Sequence, residues 1–305
     1  MRVFGRFLAV LSACGTIALA QAPSPADRAA KVLADARAAL GGEEKIAAVK
    51  SLTTTGRTRR VQGDNLVPIE FELAVELPDK YMRRDEIPAQ ESDPATNGFN
   101  GEALVQSPPM TPPEPRPGIP VPPAGQFEAM LKQRALSTKQ DFARLMLGMF
   151  ATSYSGYPLT FKYIGQAEAP QGKADVLEAV GAGNFTVRFF VHAETHLPVM
   201  VSWQAPARPA SAKAPAGKPG APTTPGAPAA PAVPAASAPS APGAPQNPAA
   251  PPENRLYFAD YRDVDGLKLP FRLRRAVGTD TTEETTFDRF RINAKIDPRK
   301  FEVRK

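Results

Sequence analysis

Ile69-Glu70-Phe71-Glu72-Leu73-Ala74-Val75-Glu76-Leu77 places an apolar residue at every odd position and an acidic or small one at every even position. Side chains of a strand point alternately to opposite faces, so this period of two sets one face in a core and the other in water. The segment before it, residues 52–61, extends the reading. It carries Thr54, Gly56 and Thr58 on one face and Arg57 and Arg59 on the other. In a hairpin of the two segments the arginines fall opposite Glu70, Glu72 or Glu76 as cross-strand pairs. The inward residues of 52–61 are small, and beside Phe71 and Leu73 they are expected to leave free volume.

Working outward, similar signals mark residues 80–86, 102–106, 159–165, 174–181, 184–192, 198–204, 255–264, 267–275 and 281–292. The total is about eleven strands, mostly in consecutive antiparallel order. Asp265-Gly266 is a two-residue hairpin turn. In the strand after it, Leu267, Leu269, Phe271 and Leu273 alternate and Pro270 falls on the outward face, which favours an edge or a bulge. Two segments have helical periodicity. Residues 26–40 follow Ser24-Pro25 and stop at Gly41-Gly42. Residues 126–150 carry Phe142, Leu145, Met146, Met149 and Phe150 on one face, with Ser137 and Gln140 spaced as a capping box and Met130 adding to a Met-rich stripe. The fold class is therefore mainly β with helices (α+β): a large antiparallel sheet whose greasy face the helices cover.

Residues 205–252 are almost wholly Pro, Ala, Gly and Ser, without the aromatic and branched residues that bury a core, and a shorter tract of the same kind spans 108–123. Such composition predicts disorder. The roughly 50 residues after the longer tract are strand-like and too few to close a core alone. The tract is thus read as an insertion between two strands of one domain, 21–305, because loop-closure cost grows only logarithmically with length. Residues 1–20 have the layout of a signal peptide: Arg2 and Arg6, an apolar run from Phe7, and Ala18-Leu19-Ala20. The one cysteine, Cys14, sits in Leu11-Ser12-Ala13-Cys14-Gly15 and leaves two routes open, cleavage after Ala20 or a lipid anchor at Cys14. Either route predicts a periplasmic protein, without a disulfide framework. No later stretch has the roughly 20 apolar residues of a membrane-spanning helix.

The net charge of +6 falls to +4 without Arg2 and Arg6, and to +1 once Arg208, Lys213 and Lys218 of the long tract are set aside. That balance supplies no global field for nucleic acid. The two histidines fall in His192-Ala193-Glu194-Thr195-His196-Leu197-Pro198, between two strands, where the four-residue spacing does not make the helical face a zinc motif needs. Carboxylates such as Asp79, Asp85, Glu86, Asp260, Asp263 and Asp265 are scattered at strand ends. With no phosphate loop, nucleophile elbow or Cys/His cluster, no catalytic residue, metal or cofactor is assigned.

Five segments carry a family resemblance: Ala39-Leu40-Gly41-Gly42-Glu43-Glu44-Lys45-Ile46 through Lys50-Ser51-Leu52-Thr53; Leu77-Pro78-Asp79-Lys80-Tyr81; Gly98-Phe99-Asn100-Gly101-Glu102; Glu194-Thr195-His196-Leu197-Pro198; and Asp260-Tyr261-Arg262-Asp263-Val264-Asp265-Gly266-Leu267-Lys268-Leu269-Pro270-Phe271. In this order they resemble the LolA-like group of periplasmic lipoprotein and lipid carriers. The resemblance implies an incomplete antiparallel β-barrel of about eleven strands around a hydrophobic cavity that helices close and acyl chains occupy. The sequence departs from the group in its long insertion and in His196, where relatives commonly place glycine.

The expected function is non-enzymatic: carriage or sensing of lipid or lipoprotein acyl chains, with Phe71, Leu73, Val75, Phe142, Met146, Met149, Phe189 and Trp203 as the cavity lining. Burying a methylene is worth about 0.8 kcal/mol, so a long acyl chain yields on the order of 10 kcal/mol before costs. The rival from another class is a structural protein whose Pro-rich arms contact other envelope proteins. Export is testable directly: intact-mass measurement on protein from its native envelope is expected to give an N-terminus near Gln21 or a lipidated Cys14, and a product beginning at Met1 would contradict both.

Overall fold

Residues 23–112, 123, 125–169, 172–204 and 252–302 are described by the computed structural model. The signal-peptide, Cys14 and long-tract readings fall outside them, as do residues 113–122 of the shorter tract. Two runs of consecutive antiparallel strands make one sheet. The first holds β1 (Ser51–Gln62), β2 (Asn65–Glu76), β3 (Lys80–Glu86), β4 (Ala95–Asn100) and β5 (Ala103–Ser107). The second holds β6 (Thr160–Ala169), β7 (Gly172–Gly181), β8 (Phe185–His192), β9 (Pro198–Gln204), β10 (Glu253–Val264), β11 (Leu267–Val277) and β12 (Asp280–Ile292). Pairing of β1 with β12, from Leu52 opposite Ile292, joins the runs. The order is β5-β4-β3-β2-β1-β12-β11-β10-β9-β8-β7-β6. β5 and β6 stay as edges, so the curved sheet is an open, incomplete barrel. Gln204 pairs directly with Glu253, so the strands on either side of the long tract are neighbours.

Twelve strands rather than eleven are present because β4 gives almost no sequence signal. Ala95-Thr96-Asn97-Gly98-Phe99-Asn100 has one large apolar residue, and its Asn and Gly disfavour strands. It forms because β3 offers a ladder from Lys80 opposite Asn100 to Asp85 opposite Ala95. Gly98 lets the backbones close up, since a Cβ there would overlap the Tyr81 carbonyl oxygen.

The register sorts side chains by face. Thr54 lies between Leu73 and Phe290, Gly56 between Phe71 and Phe287, and Thr58 between Ile69 and Thr285, all on the concave side. The free volume expected beside the small residues is absent. The Phe71 ring occupies the space at Gly56 that a Cβ would take. Thr54 donates to the Arg289 carbonyl at 2.7 Å, and the Thr58 and Thr285 hydroxyls share a hydrogen bond of 2.9 Å. On the convex side Arg57 lies opposite Glu70, 3.8 Å apart and solvent-exposed, while Arg59 faces Pro68 and Glu284. The convex side is not uniformly wet: Ala74, Met82, Ile296 and Phe301 form a second small core under the 3₁₀ turn Pro298–Phe301.

Among the described residues three α-helices complete the fold. α1 (Pro25–Ala39) starts at a Ser24/Asp27 capping box and buries Ala29, Leu33 and Ala36 against the β6 end of the sheet. α2 is one short turn (Glu43–Ala47). α3 (Gln126–Phe150) crosses the concave face and touches β4, β5, β9 and β11. Ser137 and Gln140 do not cap it. They lie inside a continuous helix, where the Ser137 hydroxyl bonds back to the Gln133 carbonyl and the Gln140 amide reaches the Ala182 and Gly183 carbonyls.

Two local readings are refined. Asp265 and Gly266 both have positive φ, 54° and 77°, as the two-residue turn requires. Pro270 is not exposed, and its strand is not an edge strand of the sheet, but it sits at a position that β12 does not pair. It is buried in β11, which runs between β10 and β12. Its missing N–H is tolerated because the β12 ladder begins only at Arg272 opposite Thr286.

α3 meets the sheet without spare room at Gly148, where a Cβ would overlap the Phe258 ring. Overfilling a packed core costs about 1–3 kcal/mol. Gly148→Ala is therefore expected to lower the unfolding free energy by that amount, seen as a lower urea midpoint at unchanged slope, and Phe258→Leu in the same background to recover part of it.

A cavity between the sheet and helix α3

α3 presents two different stripes to the concave face. Phe142, Met146 and Met149 lie on one and are buried. Arg134, Thr138 and Asp141, at i, i+4 and i+7, lie on another. The apolar stripe meets the apolar part of the sheet. Seven of the residues expected to line a cavity, Phe71, Leu73, Val75, Phe142, Met146, Met149 and Phe189, are buried together in one continuous core, and Trp203 packs at its margin. The sequence therefore brings all eight together, as packed side chains.

The polar stripe faces a charged row at one end of the same concave face. Pairing puts Thr58 and Arg60 of β1 beside Thr285 and Glu283 of β12, then Arg275 of β11, with Tyr81, Arg83 and Asp85 of β3 on the other flank. Between this row and α3 is a cavity of about 580 Å³, which Asn97, Gln106, Arg134, Thr138 and Asp141 also border. A second cavity of about 330 Å³ lies beside it, bordered by Leu104, Pro109, Met110 and Leu131 together with Glu102, Glu128 and Lys132. Gln106 borders both, and its Oε1 is buried without a hydrogen-bond partner among the described residues.

The first half of α3 roofs these spaces. Its buried positions begin only at Ala135, and Met130 is 40% exposed, so residues 126–134 overhang rather than pack. From Phe142 onward nearly every residue is buried. Tyr81 marks the border between cavity and core, its ring 4.9 Å from that of Phe142 and its hydroxyl without a hydrogen-bond partner among the described residues.

Electrostatics in the row are tightly arranged. Arg83 bonds Asp85 at 2.7 Å and the Thr58 hydroxyl at 3.1 Å, and its guanidinium lies 4.5 Å from the Phe71 ring centre. Burial works against the Arg83 charge, but Asp85 outweighs it and holds the group above its ordinary range. Glu283 receives two arginines, Arg60 at 2.6 Å and Arg275 at 3.6 Å. Asp141 is taken by Arg144 at 2.8 Å, and Arg144 stacks on Trp203 at 4.2 Å. Burial pulls the Arg144 guanidinium below its usual range. Arg134 has no carboxylate partner among the described residues; its side chain reaches only the Met110 Sδ, at 3.4 Å.

The charged row was missed by strand reasoning because each of its members reads as a solvated residue on its own. Asp85 looked like a strand-end carboxylate. The available signal was parity: Thr58 and Arg60 share a face, and Tyr81, Arg83 and Asp85 share one. The histidine segment is a turn after β8, in which the His192 Nδ1 accepts from the Glu194 and Thr195 amides at 3.2 Å. His196 has φ 57°, the left-handed conformation that glycine adopts without cost. No group of three His, Cys, Asp or Glu suited to a metal occurs among the described residues, and no described helix is long and apolar enough to cross a membrane.

No family model matches the sequence, and no curated protein matches it. Solved structures similar to the chain include three that cover nine-tenths of it or more. A DUF1329 family protein from Desulfovibrio piger is 8% identical, with a TM-score of 0.48 over 92% of this chain and 98% of that one. A LolA superfamily protein from Nitrosomonas europaea is 10% identical, with a TM-score of 0.49 over 90% and 97%. An outer membrane lipoprotein-sorting protein domain from Vibrio parahaemolyticus is 9% identical, with a TM-score of 0.43 over 90% and 97%. The fold class stands on the coordinates themselves: an open antiparallel sheet with helices on its concave face, the incomplete barrel that the sequence resemblance implied.

Burial raises the Tyr81 phenol to about 12 and pushes Tyr154 and Tyr261 above their ordinary value as well. The unfolded chain releases these protons near pH 10. Between pH 10 and about 12 the native state therefore holds more protons, and stability falls as pH rises. Urea unfolding across that window is expected to show the fall, with a shallower slope in Tyr81→Phe.

Proposed function

We propose that this chain is a non-catalytic protein of the cell envelope that carries or senses a lipid-like amphiphile, held between the concave face of the sheet and the first half of α3. The carrying observation is that α3 is sealed down only along its second half, while its first half borders a cavity of about 580 Å³ through Arg134 and Thr138 and an adjoining one of about 330 Å³ through Glu128, Leu131 and Lys132. Spaces of a few hundred Å³ with mostly fixed walls and a few polar groups are the usual form of small-molecule sites. The adjoining space bordered by Leu104, Met110 and Leu131 offers an apolar continuation.

In this reading the eight apolar residues named from the sequence are the floor of the site. An acyl chain reaches them past Tyr81, which borders the cavity and packs on Phe142 of the core, by lifting of the overhanging half of α3. Lipid or lipoprotein acyl chains are the proposed cargo and the periplasm the proposed location, the latter from the signal-peptide pattern of residues 1–20. No cofactor is invoked. A structural role with envelope proteins as partners is the second reading, favoured by the close packing of that floor.

Amide exchange separates the two. The unliganded protein is expected to exchange fast over residues 126–134 and slowly over 142–150. Lipid or lipopeptide is expected to slow exchange in the first segment saturably. Unchanged exchange there with every amphiphile tried would leave the structural reading.

A further inference from the structure

The charges around the larger cavity do not balance, and the imbalance has a direction. Four arginines border it, Arg60, Arg83, Arg134 and Arg275, against the carboxylates Asp85, Asp141 and Glu283. Each carboxylate is already engaged. Asp85 is closed onto Arg83. Asp141 is held by Arg144, which is not itself a lining residue. Glu283 alone faces both Arg60 and Arg275, the second at a long 3.6 Å. The remaining cation, Arg134, sits on the overhanging half of α3, where its one side-chain hydrogen bond among the described residues is to a thioether, a weak acceptor.

We propose, resting on the function above, that this cavity selects a phosphate-bearing ligand whose anion is seated among Arg134, Arg275 and the Tyr81 hydroxyl. The planar guanidinium fork matches phosphate oxygens with two parallel N–H bonds, which a hydrated surface lysine does not. The phenol, which burial keeps protonated, supplies a further donor. Gln106 gives the site a second, independent mark. Its buried Oε1 lacks a donor among the described residues, and a hydroxyl of the glycerol or sugar next to the phosphate would supply one. A buried acceptor left without a donor costs about 1–3 kcal/mol, so a ligand that satisfies it is favoured over one that does not. The space is larger than a bare ion needs, and beyond Gln106 it continues into the apolar neighbour.

The same phosphate chemistry comes from two sources, a phospholipid-type headgroup or a soluble phosphate ester. Calorimetric titration of the full chain tells them apart with four probes: dihexanoylphosphatidylglycerol below its micelle concentration, glycerol 3-phosphate, inorganic phosphate, and dihexanoylglycerol, which has the same chains and no charge. The phosphatidylglycerol is expected to bind saturably and dihexanoylglycerol about tenfold more weakly, the worth of one charge-assisted hydrogen bond. Arg134→Gln, on an exposed turn and therefore expected to fold, is expected to weaken the phosphatidylglycerol about tenfold, and Arg134→Lys less. Arg275→Gln checks the opposite wall, with far-UV circular dichroism confirming the fold. Glycerol 3-phosphate or inorganic phosphate binding as tightly as the phosphatidylglycerol would uphold the phosphate site and assign it a soluble ligand, against the lipid reading. Dihexanoylglycerol binding equally well, with Arg134→Gln unchanged, would overturn the phosphate site and leave the lipid reading intact. Binding of none of the four would overturn both.

Discussion

A sheet that curves through twelve strands without closing has a concave face that no other strand covers, and in this protein the covering falls to the second half of α3. Apolar sheet faces must be buried against another layer, and helices are the available layer here. The contact is close enough that Gly148 leaves no room for a methyl group against Phe258. Beside it the Tyr261 hydroxyl lies 2.9 Å from both the Gly148 and Pro198 carbonyls, donating to one at a time, so helix and sheet are tied by a polar contact within a buried seam. The aromatic series Tyr81, Phe99, Phe142 of α3, Tyr154, Tyr157 and Phe185 runs across the concave side with neighbouring ring centres 4.8–6.3 Å apart. β3 and β4 are thereby linked to β8 through one helix and the turn that follows it.

The other half of the same helix has no such partner, and the reason lies in the sheet. Toward its charged end the concave face changes from Phe, Leu and Val to Thr58, Arg60, Arg83, Glu283 and Arg275. Charged side chains cannot be pressed dry under a helix without complete pairing, because desolvation outweighs the attraction of an imperfect pair. The helix therefore stands off, and the stand-off is the cavity. Buried apolar packing and a polar, basic space are thus consequences of one boundary in the register, and the proposed ligand spans that boundary.

Local signals fared differently according to how far they depended on neighbours. The alternation at Ile69, Phe71, Leu73 and Val75 fixed a buried face because each residue has its large apolar group at the same parity. Asp265-Gly266 turned as its left-handed preferences require. β4 was illegible, since Asn97, Gly98 and Asn100 have no strand preference and are held by the β3 ladder. Pro270 misled for a related reason: whether a missing N–H matters depends on where the neighbouring strand begins to pair, and here that strand begins two residues later. The small residues Thr54, Gly56 and Thr58 suggested a void, yet the Phe71 ring one strand away fills it.

The sequence by itself determined the fold class, the two main helices, the apolar membership of the core and the meeting of the strands on either side of residues 205–252. These follow from periodicity and turn chemistry, which act between residues close in the chain. Tertiary structure alone decided that the eight apolar residues would be packed rather than open, and that arginines from β1, β3, β11 and α3 would face one space. Arg60 and Arg275 lie far apart in sequence and converge on Glu283 only through the register of β12 between its two neighbours. A strand's own pattern says which side chains share a face, but the charge balance of a cavity is a sum over strands. That sum exists only once the sheet has been assembled.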